Sequence, residues 1–213
     1  VLRGQTVGFE RALRAFVADC ADRRACPLGS DARDAQRRLE KWIDELDREP
    51  VGDGRRRLTQ PLAQLAGLGS LYYDVRQWPS LRLALRQAFD GSPDAMLAIA
   101  DATIDRRPDG TYGSNATQAQ YAITCLDRAY DADLDETAAR AAEFEDESAV
   151  FGAYLAWGDL PCGLWPVAPT RAAHEVTTPL PPMLILSTTR DPATPHEWGE
   201  SLARQIQSTT LLT

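Results

Sequence analysis

The chain has 213 residues, 44% of them hydrophobic and 25% charged, enough apolar content for a sizeable buried core and too much for a disordered chain. Its 31 acidic and 23 basic residues leave a net charge of −8, which argues against a nucleic-acid surface, where a basic stripe is expected. No run of 18 apolar residues occurs, so no membrane-spanning helix is expected, and Val1-Leu2-Arg3-Gly4 does not open a signal peptide, as in a mature or a truncated chain.

Helices come first in chain order. Phe9, Leu13, Phe16, Val17 and Cys20 recur at helical spacing, and so do Leu39, Trp42, Ile43 and Leu46. Gly67 and Gly69 read as a break between helices. Ser80 precedes Leu81, Leu85 and Phe89; Ser92 is placed to cap a helix with Pro93 in its first turn and Met96, Leu97, Ala100 and Ile104 inside it. Two further helices are expected over 118–130 and 136–157, with Glu143 to Glu147 as a solvated face. Tyr72, Tyr73, Trp78, Tyr112, Trp157 and Trp165 read mainly as packing, a pocket lining being the alternative. The proline-rich stretch 161–182 reads as a linker.

The pattern then changes. Met183 to Leu186 are continuously apolar, as in a parallel strand covered on both faces. Thr188-Thr189-Arg190-Asp191-Pro192 forms a turn, Thr194 is placed to cap the next helix, Pro195 suits its first position, and Glu197 completes a capping box. Trp198, Leu202 and Ile206 follow at helical spacing, and Thr209 to Leu212 form a second strand. An acid at the carboxyl end of a parallel strand is where α/β enzymes place catalytic groups.

Four segments, Gln5 to Glu10, Tyr121 to Asp127, Pro161 to Pro166 and Ser187 to Pro195, resemble the tripeptidyl aminopeptidases of actinomycetes, which are secreted serine exopeptidases. The resemblance implies an α/β class: residues 1–165 a helical cap, and 166–213 the C-terminal part of an α/β-hydrolase core. It also implies a Ser–Asp–His triad in that chain order, with Asp191 as its acid. The chain departs from that pattern because no Gly-x-Ser-x-Gly elbow occurs and no histidine follows the last strand. His174 and His196 read as exposed or locally hydrogen-bonded residues. The expectation is therefore an inactive fragment, completed by an N-terminal hydrolase segment and acting on peptides with a free N-terminus. A non-catalytic cap or an esterase on the same fold is the alternative.

Two further side chains take part in this reading. Thr194 serves mainly as the helix cap, with a lesser role in holding the Asp191 loop. Asp127 either neutralises a substrate ammonium group or pairs with Arg128 or Arg140. Four cysteines permit three pairings, of which Cys20–Cys26 and Cys125–Cys162 are favoured: one clamps a helix end before Pro27, the other staples a helix to the proline-rich segment. Such bonds belong outside the cytoplasm. No Cys-x-x-Cys pair supports a metal, and no phosphate loop or dinucleotide fingerprint calls for a cofactor.

Overall fold

A computed structural model describes residues 1–72, 75–169, 180–206 and 208–213. Helix α1 (Leu2–Ala21) buries Phe9, Leu13, Phe16, Val17 and Cys20 on one stripe. Helix α2 (Ala32–Arg48) is capped by Asp31, whose carboxylate accepts from the Arg33 and Asp34 amides, and it buries Ala35, Leu39, Trp42, Ile43 and Leu46. These stripes meet α3 (Gln60–Tyr72), α4 (Trp78–Phe89) and α5 (Asp94–Thr103) in one apolar core centred on Phe16, Leu46, Met96 and Phe151. Burying each large apolar side chain of this core contributes roughly 1.5–3 kcal/mol.

Three expectations about the helices are corrected. Helix α3 runs unbroken through Gly67 and Gly69. A β-carbon on Gly69 would strike the Thr103 side chain of α5, so this glycine allows two helices to close rather than ending one. Ser92 does not cap α5; Pro93 holds the cap position, and the Ser92 amide instead donates to the Gln87 carbonyl at 2.8 Å. The helix expected over 136–157 is divided: α7 (Leu134–Glu147), after α6 (Ala116–Asp127), ends before Ser148, and α8 (Gly152–Ala156) follows. Ser148 causes the break. Its hydroxyl accepts from the Phe151 amide at 3.1 Å and donates to the buried Glu10 carboxylate at 2.8 Å, local bonds that compete with the helix. Phe151 is thereby turned into the core.

The proline-rich stretch begins inside a short helix α9 (Leu160–Gly163), and most of its remainder, with His174, lies outside the described residues, as does Tyr73. Both favoured disulfides are present, Cys20–Cys26 closing the end of α1 and Cys125–Cys162 joining α6 to α9. No helix among the described residues is long and apolar enough to cross a membrane.

The chain ends in a strand–helix–strand unit: β1 (Met183–Leu186), α10 (His196–Gln205) and β2 (Thr209–Leu212). The strands are parallel, with Met183 opposite Thr209 and Leu186 opposite Leu212. Cover on both faces is not found. Leu184, Leu186 and Leu212 are 60%, 70% and 56% exposed, while Met183 and Ile185 are half-buried. The continuous apolar run fits a doubly covered strand, but α10 supplies one cover only, and no element among the described residues supplies the other.

Candidate active site

Asp191 stands five residues past the end of β1, in a turn that closes on its own carboxylate. One oxygen accepts from the Ala193 and Thr194 amides, both at 2.9 Å, and the other from the Thr194 hydroxyl at 2.6 Å. Burial pushes the Asp191 carboxyl up, but the Thr194 hydroxyl and the two amides outweigh it and hold the group below the usual carboxylate value. An ionised carboxylate has about four acceptor sites, and three are used. The remaining one can take a hydrogen bond from outside the turn, such as an imidazole N–H.

This geometry corrects the reading of Thr194. Helix α10 starts at His196 with Pro195 at its cap, and no side chain caps it. The Thr194 hydroxyl has been drawn to the stronger acceptor, a carboxylate three residues back, so no capping box with Glu197 forms. Glu197 instead pairs with Arg11 at 3.1 Å.

The turn rests on the first helix. A β-carbon on Gly8 would come 2.5 Å from the Pro192 carbonyl oxygen, and one on Gly4 would come 3.0 Å from the Trp198 ring. Between them Gln5 donates through Nε2 to the Ala193 carbonyl at 2.9 Å. Gly4, Gln5 and Gly8 lie on one stripe of α1 that flanks the stripe facing the core. Sequence reasoning marked Gln5 to Glu10 as a family-like segment and missed what it does: glycine at these two positions seats an acid-bearing turn nearly two hundred residues away. Two glycines four apart on an otherwise well-formed amphipathic helix are the signal that could have shown it.

Gln5 also lines a cavity of about 720 Å³ between α1, α6 and the α8–α9 segment, and Asp127, at the end of α6, lies on its wall with Tyr121, Thr124, Tyr130 and Tyr154. Burial raises the Tyr154 phenol, with a smaller contribution from Tyr121. Neither ion pair considered for Asp127 forms. Arg128 is engaged by Asp159 at 3.3 Å and lies over the Tyr130 ring at 4.4 Å, while Arg140 donates to the Thr137 hydroxyl at 3.2 Å. Asp127 has no hydrogen bond or ion pair among the described residues. The cavity wall thus carries the Arg128–Asp159 ion pair and, beside it, an Asp127 carboxylate held in no ion pair.

A serine–histidine contact lies nearby. His196 Nδ1 is 3.0 Å from the Ser187 hydroxyl, and its Nε2 is 3.7 Å from Glu200, one turn along α10. A β-carbon on Gly199 would stand 2.5 Å from that same hydroxyl, so Ser187 is packed between strand end and helix. It ties α10 to β1. Among the described residues no group of three His, Cys, Asp or Glu side chains is arranged to hold a metal ion.

The residues from the α7–α8 break through β2, 148–213, match the family described as TAP-like protein, and that match contains Cys162 and the whole Asp191 turn. Serine protease Hip1 of Mycobacterium tuberculosis is 33% identical over 97% of this chain and 42% of its own length. Residues 148–213 thus form a TAP-like domain, and the rest of the chain aligns with hydrolases that carry one. Other relatives are the carboxylesterase B of Mycobacterium tuberculosis, 33% identical over 95% of this chain and 40% of its own, and the tripeptidyl aminopeptidase of Streptomyces lividans, 39% identical over 27% of this chain and 11% of its own. The chain therefore spans less than half the length of the curated relatives it matches over most of its sequence.

Proposed function

We propose that this chain is the cap and acid-bearing portion of a secreted serine exopeptidase, residues 1–165 forming the cap and 166–213 the C-terminal part of the core. The observation that carries the proposal is the Asp191 turn: an ionised carboxylate, three of its acceptor sites satisfied internally and one open, placed at the carboxyl end of a parallel strand. Asp191 orients the imidazole and stabilises its charged form during acyl transfer, and Thr194 holds Asp191 in position. The nucleophilic serine and the histidine come from sequence beyond these 213 residues, and the open leucine face of β1 and β2 receives that hydrolase segment. The unpaired Asp127 neutralises the ammonium group of a peptide with a free N-terminus. Two disulfides support an extracytoplasmic setting.

An esterase is the second reading, favoured by the relative named carboxylesterase B. Both readings are tested in the full-length parent. Asp191→Asn is expected to lower kcat by a factor on the order of 10⁴ on either substrate class, with substrate still bound. Asp127→Asn is expected to penalise a free peptide amide by roughly 1.5–3 kcal/mol and spare a small ester. Near-normal ester hydrolysis by Asp191→Asn removes Asp191 from the triad. Equal losses on both substrates for Asp127→Asn remove the ammonium anchor. The 213-residue chain alone is expected to leave a chromogenic tripeptide amide intact.

A further inference from the structure

The stripe of α1 that seats the Asp191 turn continues beyond Gly8. Arg11, Ala12 and Ala15 follow on the same face, and they line a second cavity, of about 490 Å³, together with Val75, Trp78 and Arg190. Arg190 is the residue immediately before Asp191. It has no ion pair or hydrogen bond among the described residues, whereas Arg11 is held by Glu197. No carboxylate is among the described residues that line this pocket, and its walls are otherwise apolar.

The acid turn thus stands between two cavities. On one side, next to Val1, Leu2 and Gln5, lies the wall with the unpaired Asp127; on the other, next to Arg11 and Ala12, lies the pocket with the unpaired Arg190. Gln5 and Ala12 are seven residues apart, about 10 Å along a helix. A peptide whose amino end reaches Asp127 and whose scissile bond meets the imidazole that Asp191 orients directs its leaving portion toward Arg190.

We infer that this second pocket binds an acidic residue of the substrate on the leaving side of the scissile bond, the carboxylate meeting Arg190 and its aliphatic stem lying against Ala12, Ala15 and Trp78. The assignment of direction rests on the exopeptidase reading; the charge preference of the pocket does not. Guanidinium suits a carboxylate because it presents paired donors in one plane.

The test is binding, without turnover. N-acetyl-leucyl-glutamyl amide and its glutaminyl counterpart, both lacking an ammonium group, are titrated into the 213-residue chain and followed by equilibrium dialysis. The Glu peptide is expected to bind about three- to tenfold more tightly at low salt, the range of an exposed to a partly shielded ion pair, with the preference shrinking in 0.5 M salt and absent in Arg190→Gln. Equal affinities, a preference retained by Arg190→Gln, or no binding of either peptide overturns the proposal. In the parent enzyme, kcat/KM for free peptides with Glu rather than Gln after the scissile bond should rise by a similar ratio. An enzyme that cleaves both equally overturns this inference and leaves the exopeptidase reading standing. A full-length parent that binds the Glu peptide selectively but cleaves no peptide overturns the exopeptidase reading, and with it the leaving-side assignment, while the pocket's charge preference stands.

Discussion

The helices before residue 164 and the strand–helix–strand unit after residue 182 are built on different terms. The helices make their own core: Phe16, Leu28, Leu46, Leu58, Met96 and Phe151 are all fully buried, and two disulfides fasten helix ends. The terminal unit buries little. Helix α10 has no buried residue, the strands show leucines to solvent, and the unit leans on the glycine face of α1. Stability therefore resides in one region and the candidate chemistry in the other. A site of this kind depends on docking to a rigid partner more than on its own packing.

Phe16→Ala should separate the regions most sharply. Loss of a fully buried aromatic side chain is expected to cost about 3–5 kcal/mol, read as a large fall in the urea midpoint, whereas Leu186→Thr on the open strand face should change the same midpoint by no more than about 0.5 kcal/mol. A comparable loss from Leu186→Thr would show that the strand face is covered in the isolated chain. The disulfides come next. Cys125–Cys162 spans 37 positions and Cys20–Cys26 only 6, so replacing each pair by serine should cost about 4 and about 2 kcal/mol through the entropy of the unfolded chain. The reverse order would locate the benefit in native packing instead.

Gly8→Ala tests the seat itself. Its methyl group meets the Pro192 backbone rather than a flexible side chain, so the turn must move, at about 1–3 kcal/mol. Hydrogen exchange should quicken at Ala193 and Thr194 while the α1–α5 core stays protected. Uniform loss of protection would mean that the two regions unfold as one.

The smallest effect concerns pH. Asp191 is held below its ordinary value in the folded state, so its contribution to stability is present above the unfolded pKa and is lost as pH falls through the folded one. Thr194→Val removes the 2.6 Å hydroxyl donor. It should move the Asp191 titration, followed by carboxyl NMR, upward toward the ordinary value and shift that acid loss to higher pH. An unchanged titration would assign the depression to the two amides alone.

Much of the helical region could be read directly from spacing, because an apolar stripe recurring every three or four residues has one way to be buried. Leu13 and Phe16 on α1, and Leu39 and Trp42 on α2, lie on the faces their spacing indicates. Local bonding signals were less decisive. Thr194 reads as a helix cap in the sequence, yet Pro195 takes that position and the Thr194 hydroxyl goes to Asp191; Ser92 precedes a helix and leaves it uncapped; Ser148 ends a helix that periodicity alone would continue. In each case a polar group had more than one partner within reach, and the folded surroundings chose among them.

By itself the sequence determined the apolar stripes of the main helices, the two terminal strands with the Asp–Pro turn between them and the four cysteines available for pairing, since each follows from periodicity or from the chemistry of neighbouring residues. Only the tertiary structure decided that Gly4 and Gly8 face Pro192 and Trp198, that Asp127 is unpaired on a cavity wall, and that Arg190 stands on the far side of the same turn. Those relations join residues far apart in the chain, and no local preference encodes them; they arise because a glycine stripe is the one surface of α1 on which another backbone can come to rest.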